Sequence, residues 1–318
     1  MFEAITACWA EVQASNIPER GACIAPEIAA AEPDLVGLQE IAQWSTGSFG
    51  AMNIRYDFLA SILHSLRDQG ATYVPIAVKR DLIQAAPPDS TGSLLQFIDR
   101  HAVLMRIGHD FGRIQPYDTQ AEVFSALHQT ASPVGGLLSV ARSWIAIDAT
   151  VGDRKFRLIE THVESLDEAV QLAQAKELVA GPANTSLPVI MMGDFNSNAN
   201  RQLGIKDYTP TYPELVAAGF KDVWATLNPD DPGNICCHAR DLRNTTSALD
   251  RRLDLFLTRG PIEPLSAALV GDHASSRAPL DLCKGTDRMI VRGQLADSCF
   301  AAVEGPHLKM PRSATKIA

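Results

Sequence analysis

Pro188-Val-Ile-Met-Met-Gly-Asp-Phe-Asn-Ser-Asn-Ala-Asn200 is the stretch from which the fold can be predicted. Its apolar run Val189–Met192 is bounded by a proline and a glycine, which predicts a short buried strand. Residues two apart in an extended chain point the same way, so Asp194 and Asn196 are expected to face one point while Phe195 turns into the core. A carboxylate and an amide at a strand end suit a hard cation and a phosphate. Taken alone, the pattern is better explained as an Asx-rich turn, and the functional interpretation depends on the other stretches.

A second stretch of the same design lies earlier in the chain. Pro33-Asp-Leu-Val-Gly-Leu-Gln-Glu40 repeats the order of proline, apolar run and terminal carboxylate. Two buried strands that deliver oxygen ligands from their carboxyl ends predict one shared site, to which Glu40 would belong. A solvated loop residue is the alternative interpretation of Glu40.

Two further polar residues occupy positions at or within predicted strands. A hairpin of Ser143–Val151 and Lys155–Thr161 places His162 at a strand end, just before a helix that returns to the strand carrying Asp194. A lone histidine at such a junction is usually structural, but this connection favours a functional role. Asp254 lies within an apolar strand, where a carboxylate is costly unless it is paired or functional.

Composition limits the classes of protein that this chain can belong to. The chain has 318 residues, an apolar fraction of 46%, a net charge of -9 and a pI of about 5.4, which argue against nucleic-acid binding through bulk positive charge. We expect no transmembrane segment and no signal peptide, hence a cytoplasmic location by default, or secretion if the N-terminus is truncated. The six cysteines form neither a zinc pattern nor a clear disulfide framework.

Arginines supply the local positive charge. Arg240, Arg243, Arg251 and Arg252 are concentrated in one polar stretch and would bind phosphates at a cleft mouth, which makes nucleic acid a candidate partner. A solvated charged loop is the alternative. Arg106, at the end of another predicted strand, would hold a phosphate or form a surface ion pair.

The chemistry of these residues predicts hydrolysis of phosphoesters. Carboxylates and an amide, without a cysteine cluster, favour Mg²⁺, with Mn²⁺ as the alternative, over Zn²⁺. Such a cation offsets charge on a phosphoryl oxygen. Histidine, with a free pKa of about 6.5, takes or gives protons near neutral pH. The candidate set is Glu40, His162, Asp194, Asn196 and Asp254, with Asp272 and His273 added from the stretch that follows.

Four of these pieces together resemble a known family. They are Leu38-Gln-Glu40, Thr161-His162, Gly193-Asp-Phe-Asn196 and Arg252-Leu-Asp-Leu-Phe256, in the family's order. On them the chain resembles the endonuclease/exonuclease/phosphatase superfamily, which includes DNase I-like nucleases, neutral sphingomyelinases and inositol polyphosphate 5-phosphatases. The resemblance covers roughly residues 20–260. Each motif alone is weak, whereas four in order are specific.

The resemblance implies an α/β fold of four layers, in which two packed mixed β-sheets are flanked by helices, as in DNase I. It implies that Glu40 binds the metal, with Asp194 and Asp272 as further ligands. It also implies a phosphodiester or phosphomonoester substrate, the diester being favoured. Whether that substrate is DNA, RNA, a lipid or an inositol phosphate does not follow from the motifs, and neither does the oligomeric state.

Catalytic roles follow from the same resemblance. Asp194 would position the attacking water, and Asn196 would bind the phosphate. His162 would contact the phosphate or act as general acid. Asp254 would orient a catalytic histidine, for which His273 is the nearest match.

Two departures from the family pattern support an alternative function. The family's first strand, with a Thr-x-Asn-type motif, has no counterpart here, and the terminal Ser-Asp-His is matched only by Gly271-Asp-His273. The alternative is therefore a truncated or inactive member that binds phosphorylated ligands or a partner. A third reading is an unrelated α/β protein with chance motifs. We expect one domain over residues 1–303 and a loose tail over 304–318.

Overall fold

The computed structural model describes residues 2–86, 93–108, 113–131, 137–200, 207–236, 249–270 and 288–295. The helices within these ranges are α1 (Phe2–Ala14), α2 (Ile17–Ala31), α3 (Phe58–Asp68), α4 (Glu168–Ala180), α5 (Thr211–Ala217) and α6 (Val223–Leu227). The strands of the first half are β1 (Leu35–Leu38), β2 (Gln43–Ser48), β3 (Ala51–Asp57), β4 (Thr72–Ala86), β5 (Leu94–Ile107), β6 (Ile114–Val123), β7 (His128–Ala131) and β8 (Leu137–Val140). Those of the second half are β9 (Ser143–Val151), β10 (Arg154–His162), β11 (Val189–Asp194), β12 (Lys221–Asp222), β13 (Asp254–Arg259), β14 (Ile262–Val270) and β15 (Arg288–Leu295).

Two large sheets form the centre of the molecule. The first has the order β1-β5-β2-β3, with β4 also paired to β5, and the second has the order β12-β13-β11-β10-β9-β6. In the second sheet β10 and β11 are parallel while their outer neighbours are antiparallel, so this sheet is mixed as expected. The first sheet differs from the expectation, since every pair among its described strands is antiparallel.

Helices cover the outer faces of both sheets. One apolar cluster joins α2 and α3 to the first sheet, and another joins α4 and α5 to the second. Between the sheets a third cluster contains Val103, Ile147 and Leu158. Alternate residues of one strand serve different layers, because Leu158 faces the other sheet while its neighbour Ile159 packs with the α4 and α5 cluster. The four-layer sandwich predicted from sequence is therefore confirmed.

The unit β10-α4-β11 places the predicted site residues side by side. Because β10 and β11 are parallel, their carboxyl ends meet, and the register pairs His162 with Asp194. The antiparallel strand β13 begins on the other side of β11, so its first residue Asp254 pairs with Asp194. Three residues far apart in sequence thus lie next to one another at one end of the second sheet. Phe195 is fully buried, as the strand alternation predicts.

Gly193 is required by this close approach of β10 and β11. Its φ is 144°, and an added Cβ would lie 1.9 Å from the carbonyl oxygen of Thr161. We expect Gly193→Ala to destabilise the protein by at least about 3 kcal/mol, because the two strands would have to move apart. Gly152→Ala is the matched control: its φ is also positive, at 59°, but no atom lies within 4 Å, so a loss of only about 1 kcal/mol is expected. Urea unfolding measures both, and equal losses would contradict the steric explanation.

Disulfide bonds were not evident from the spacing of the cysteines. In the structure Cys23 of α2 and Cys236 are each disulfide-bonded, whereas Cys8 of α1 is an exposed free thiol. The sequence left disulfide bonding open, and the structure shows it for these two residues. Pairing requires two Cα atoms within about 7 Å, and that proximity comes from the fold and not from sequence spacing.

Two further predictions concern membrane-spanning segments and the C-terminal tail. Among the described residues, no helix combines the length and the apolar character needed to cross a membrane. The boundary at residue 303 and the tail over 304–318 lie outside the described residues and stay predictions.

Candidate active site

Asp194 stands at the centre of the site, at the end of β11. Its Oδ2 lies 3.8 Å from Nε2 of His162, and its Oδ1 accepts a 2.8 Å hydrogen bond from the backbone N–H of Asn196. Asn196 adopts a left-handed φ of 47°, and its side-chain amide donates to the carbonyl oxygen of Val163 at 3.0 Å. The turn after β11 is therefore anchored to the end of β10, which holds Asp194 and Asn196 beside His162.

Glu40 brings a further negative charge to this place. It follows β1 with a left-handed φ of 53°, and its side chain is exposed. Its charge is one cause of the raised pKa of both Asp194 and Asp99. The strands β1 and β11 lie against each other, since a Cβ added at Gly37 would lie 2.7 Å from Cε of Met192. A shared site of Glu40 and Asp194 stays a prediction.

A buried acidic group beside His162 was missed by the sequence analysis. Asp81 of β4 and Asp99 of β5 each offer a carboxylate oxygen, and together with a ring nitrogen of His162 these atoms lie within 4.8 Å of one another. Asp81 Oδ2 and Asp99 Oδ1 are buried without a hydrogen-bond partner among the described residues. This set of donors could hold a metal ion. Both aspartates stand beside basic residues in their strands, in Lys79-Arg-Asp81 and Asp99-Arg-His101, so no signal in the sequence indicates that they are buried.

Arg142, just before β9, is the positive charge inside that group. Its Nη1 donates to Nδ1 of His162 at 3.0 Å and to Oδ2 of Asp99 at 3.3 Å. The side chain is only 11% exposed. Arg142 was also missed, although the predicted hairpin of β9 and β10 pairs Ser143 with His162 and so brings the neighbouring Arg142 to that ring.

A second network of buried side chains contacts the Asp81, Asp99 and His162 group. His101 of β5 contacts the carboxylate of Glu160 through Nδ1 and the hydroxyl of Ser143 through Nε2, at 2.7 Å. Ser143 in turn donates to Asp81. The other oxygen of Glu160 accepts from Gln39 at 2.7 Å, and Gln39 is the residue before Glu40. The chain of contacts therefore links the loop carrying Glu40 to the buried acidic group.

The electrostatics of the site follow from burial of several like charges. Burial, the neighbouring Asp254 and the charge of Glu40 raise the pKa of Asp194 to about 8. Burial, Glu40 and Asp81 raise the pKa of Asp99 to about 7, against the opposing effect of Arg142. Such raised values indicate carboxylates held close together without enough positive charge to offset them.

His162 shows the opposite shift. Burial, then the positive charges of Arg142 and His101, hold the pKa of His162 well below its usual range. The imidazole is therefore neutral at physiological pH.

A divalent cation fits the carboxylates at the strand ends. Glu40, Asp194 and Asp254 supply oxygens only, and their mutual repulsion is the electrostatic condition that a hard cation relieves. No cysteine takes part among the described residues of the site, so the donor chemistry favours Mg²⁺ or Mn²⁺ over a thiolate-bound metal. The identity of the ion stays a prediction.

Two of the arginines predicted to bind phosphates, Arg251 and Arg252, are buried in the structure. Arg252 is 3% exposed and donates to both oxygens of Asp222 at 3.0 and 2.8 Å. Arg251 is 8% exposed and pairs with Asp207 and Asp250. Buried arginines that are already paired do not present a phosphate-binding surface, so the structure does not support nucleic-acid contact through these two residues. Four other predicted residues lie outside the described ranges, namely Arg240, Arg243, Asp272 and His273.

For Arg106 the structure distinguishes between the two predicted roles, phosphate binding and a surface ion pair. Its guanidinium lies 3.5 Å from Asp34 and 3.8 Å from Glu32. The residue forms an ion pair at the end of β5, which is the structural alternative and not the phosphate-binding one.

Comparison with protein families gives one match that covers most of the chain. The model of the Endonuclease/Exonuclease/phosphatase family matches residues 12–287. No curated protein matches the chain.

Solved structures show the same fold at low sequence identity. An endonuclease/exonuclease/phosphatase from Bacteroides vulgatus is 14% identical, with a TM-score of 0.55 over 87% of this chain and 90% of that one. The human Nocturnin catalytic domain, solved with a bound sulfate anion, is 16% identical, with a TM-score of 0.54 over 87% of each chain. A protein of the same family name from Beutenbergia cavernae is 16% identical, with a TM-score of 0.53 over 85% of this chain and 64% of that one.

Proposed function

The chain belongs to the endonuclease/exonuclease/phosphatase family, whose members hydrolyse phosphoester bonds, and on that premise we propose that it is a Mg²⁺-dependent phosphodiesterase. Family membership alone does not select the reaction, because function belongs to the site and not to the fold. The observation that carries the proposal is the strand register. It sets His162, Asp194 and Asp254 side by side, with the charge of Glu40 acting on Asp194.

Each residue of the site then has a distinct role. Glu40 and Asp194 would hold the ion, which when bound would offset negative charge on the phosphoryl oxygens. Asp194 orients the attacking water, since a carboxylate accepts hydrogen bonds. Asn196 lies beside it in the anchored turn and contacts the phosphate. His162 directs Nε2 towards Asp194 and therefore towards the reacting phosphate.

Hydrolysis of bis(p-nitrophenyl) phosphate, with and without added Mg²⁺, tests the proposal. We expect release of nitrophenol that depends on Mg²⁺ and is supported by Mn²⁺. p-Nitrophenyl phosphate, a monoester, is the parallel substrate and is expected to react more slowly. Absence of turnover with either ion in folded protein would favour the alternative, a non-catalytic member that binds phosphorylated ligands.

Binding of Mg²⁺ is expected to weaken about tenfold for each pH unit below 8. The pKa of Asp194 is raised to about 8 by burial and by Asp254, so at lower pH a bound proton has to leave before the cation binds. In the metal-free protein this group stabilises the fold at low pH, and the stabilisation is lost as pH rises from about 4 to about 8. Titration calorimetry at pH 6, 7 and 8 measures the affinity.

The matched variant for that titration is Asp194→Asn, which cannot titrate. In this variant the pH dependence is expected to flatten and the affinity to fall at pH 8. Wild-type affinity that is the same at all three pH values would contradict the assignment of Asp194 as a ligand.

A further inference from the structure

Arg142 occupies the centre of the buried Asp81, Asp99 and His162 group. One ligand atom of each of these three residues lies within 4.8 Å of the other two, which is close enough for all three to bind a single metal ion. The guanidinium of Arg142 already contacts two of the three, through His162 Nδ1 at 3.0 Å and Asp99 Oδ2 at 3.3 Å. In this structure the cation of the group is therefore an arginine side chain.

The direction of the hydrogen bond to His162 is determined by chemistry. A guanidinium group donates hydrogen bonds and never accepts them, since it has no lone pair available and stays protonated in proteins. The Nδ1 atom of His162 must therefore accept, so it carries no proton. A neutral imidazole has one N–H, and that N–H is then on Nε2.

We infer that Arg142 fixes His162 as a neutral imidazole with its proton on Nε2, so that His162 acts as a hydrogen-bond donor and not as a general acid or base. Nε2 lies 3.8 Å from Oδ2 of Asp194, so the N–H is directed at the place where water and phosphate would meet. A preorganised N–H stabilises charge that develops on a substrate oxygen. It cannot accept the proton of the attacking water, because its lone pair at Nδ1 is taken by Arg142.

This inference revises one role suggested by the family resemblance. The resemblance implies that His162 contacts the phosphate or acts as general acid. The hydrogen bond from Arg142 favours the contact with the phosphate. Arg142 is a positioning residue, since it acts through His162 and through Asp99. The catalytic part of the inference rests on the proposed function, whereas the position of the proton does not.

The proton position is measured directly by NMR of protein labelled with ¹⁵N in its histidines. Correlations between ring nitrogens and carbon-bound protons distinguish a protonated from an unprotonated nitrogen, and His162→Gln identifies the signals of His162. We expect an unprotonated Nδ1 and a protonated Nε2, both with and without Mg²⁺. A proton on Nδ1, or on both nitrogens at pH 7, would overturn the inference.

Variants of Arg142 provide the matched comparison. Arg142→Lys retains a cationic donor and is expected to retain the Nε2–H form. Arg142→Met removes the donor and frees Oδ2 of Asp99, so the proton is expected to move to Nδ1, where Asp99 can accept it. An unchanged spectrum in Arg142→Met would show that Arg142 does not determine the proton position. If neither variant folds, the wild-type spectrum still tests the predicted position of the proton.

Activity separates this inference from the proposed function. If His162 is a donor only, His162→Gln, whose amide N–H can replace Nε2–H, should retain at least about tenfold higher kcat than His162→Met. Equal loss in the two variants would overturn the donor role. A spectrum with Nε2–H in a wild-type protein that lacks turnover would instead leave the role of Arg142 standing and reject the proposed hydrolase activity.

Discussion

Asp194→Ala is expected to lower kcat for the aryl phosphodiester by at least about 10³-fold, since removal of one member of a catalytic unit removes most of its rate enhancement. Asp194 has three neighbours in the site: its Oδ1 receives the N–H of Asn196, its Oδ2 lies 3.8 Å from Nε2 of His162, and Asp254 lies opposite in the register. Asp194→Asn keeps the shape and removes the charge. It is expected to lose nearly as much activity, because an amide cannot replace the carboxylate as ligand.

Stability distinguishes a catalytic role of Asp194 from a structural one. In the metal-free protein its charge is opposed by burial, by Asp254 and by Glu40, as the raised pKa shows. Asp194→Asn is therefore expected to leave the free energy of unfolding at pH 8 unchanged or to increase it, while activity is lost. Loss of both together would indicate that the carboxylate is needed for folding.

Asp153→Asn is the control for these measurements. Asp153 lies in the turn between β9 and β10, at the opposite end of β10 from His162, and its side chain is 91% exposed. Its replacement removes one negative charge, as Asp194→Asn does, without touching the site. Wild-type kcat and stability are expected, so a loss in this variant would point to a nonspecific effect of net charge.

His101→Gln is expected to destabilise the protein by about 3–5 kcal/mol, the usual result of leaving one member of a buried ion pair without its partner. Both His101 and Glu160 are fully buried and in direct contact. Burial lowers the pKa of His101, but the charge of Glu160 and their hydrogen bond outweigh it, so the pKa of His101 is raised. Burial also raises the pKa of Glu160, against the effect of His101, so the charge state of the pair is assigned from its hydrogen bonds.

The hydrogen bonds around His101 support this charge state. Ser143 donates to Asp81, so its oxygen accepts from Nε2 of His101, and the carboxylate of Glu160 accepts from Nδ1. Both ring nitrogens then carry protons, which defines an imidazolium. Chemical denaturation of wild type and variant, at pH 7, gives the difference in the free energy of unfolding.

Two companion variants make the stability measurement specific. In the double variant His101→Gln with Glu160→Gln the charge of Glu160 is no longer left buried without its partner, so most of the lost stability is expected to return. His64→Gln on the surface of α3, where the side chain is 71% exposed beside Asp68, is expected to change stability by less than about 0.5 kcal/mol. If the double variant is as unstable as His101→Gln, the loss comes from packing and not from the pair.

The sequence by itself determined part of the second sheet, namely β9, β10, β11 and β13, and the strand ends that it contributes to the site. Strand alternation and the hairpin signal are local patterns, so β9, β10 and the helix α4 could be predicted from their own residues. Gly193 and the residues after it likewise predict a turn at the end of β11. Since parallel strands joined by a helix meet at their carboxyl ends, the proximity of His162 and Asp194 followed from connectivity.

Only the tertiary structure decided which charges surround that pair. His101 lies 59 residues from Glu160 and 42 from Ser143, and Asp81 lies 62 residues from Ser143. Contacts of this kind depend on the register of each strand and on how the two sheets stack, and a shift of one residue would turn every side chain to the other face. The same dependence explains why Arg252, which the sequence suggests is a phosphate ligand, is buried against Asp222. Local patterns specify elements, whereas partners for buried charges are set by long-range packing.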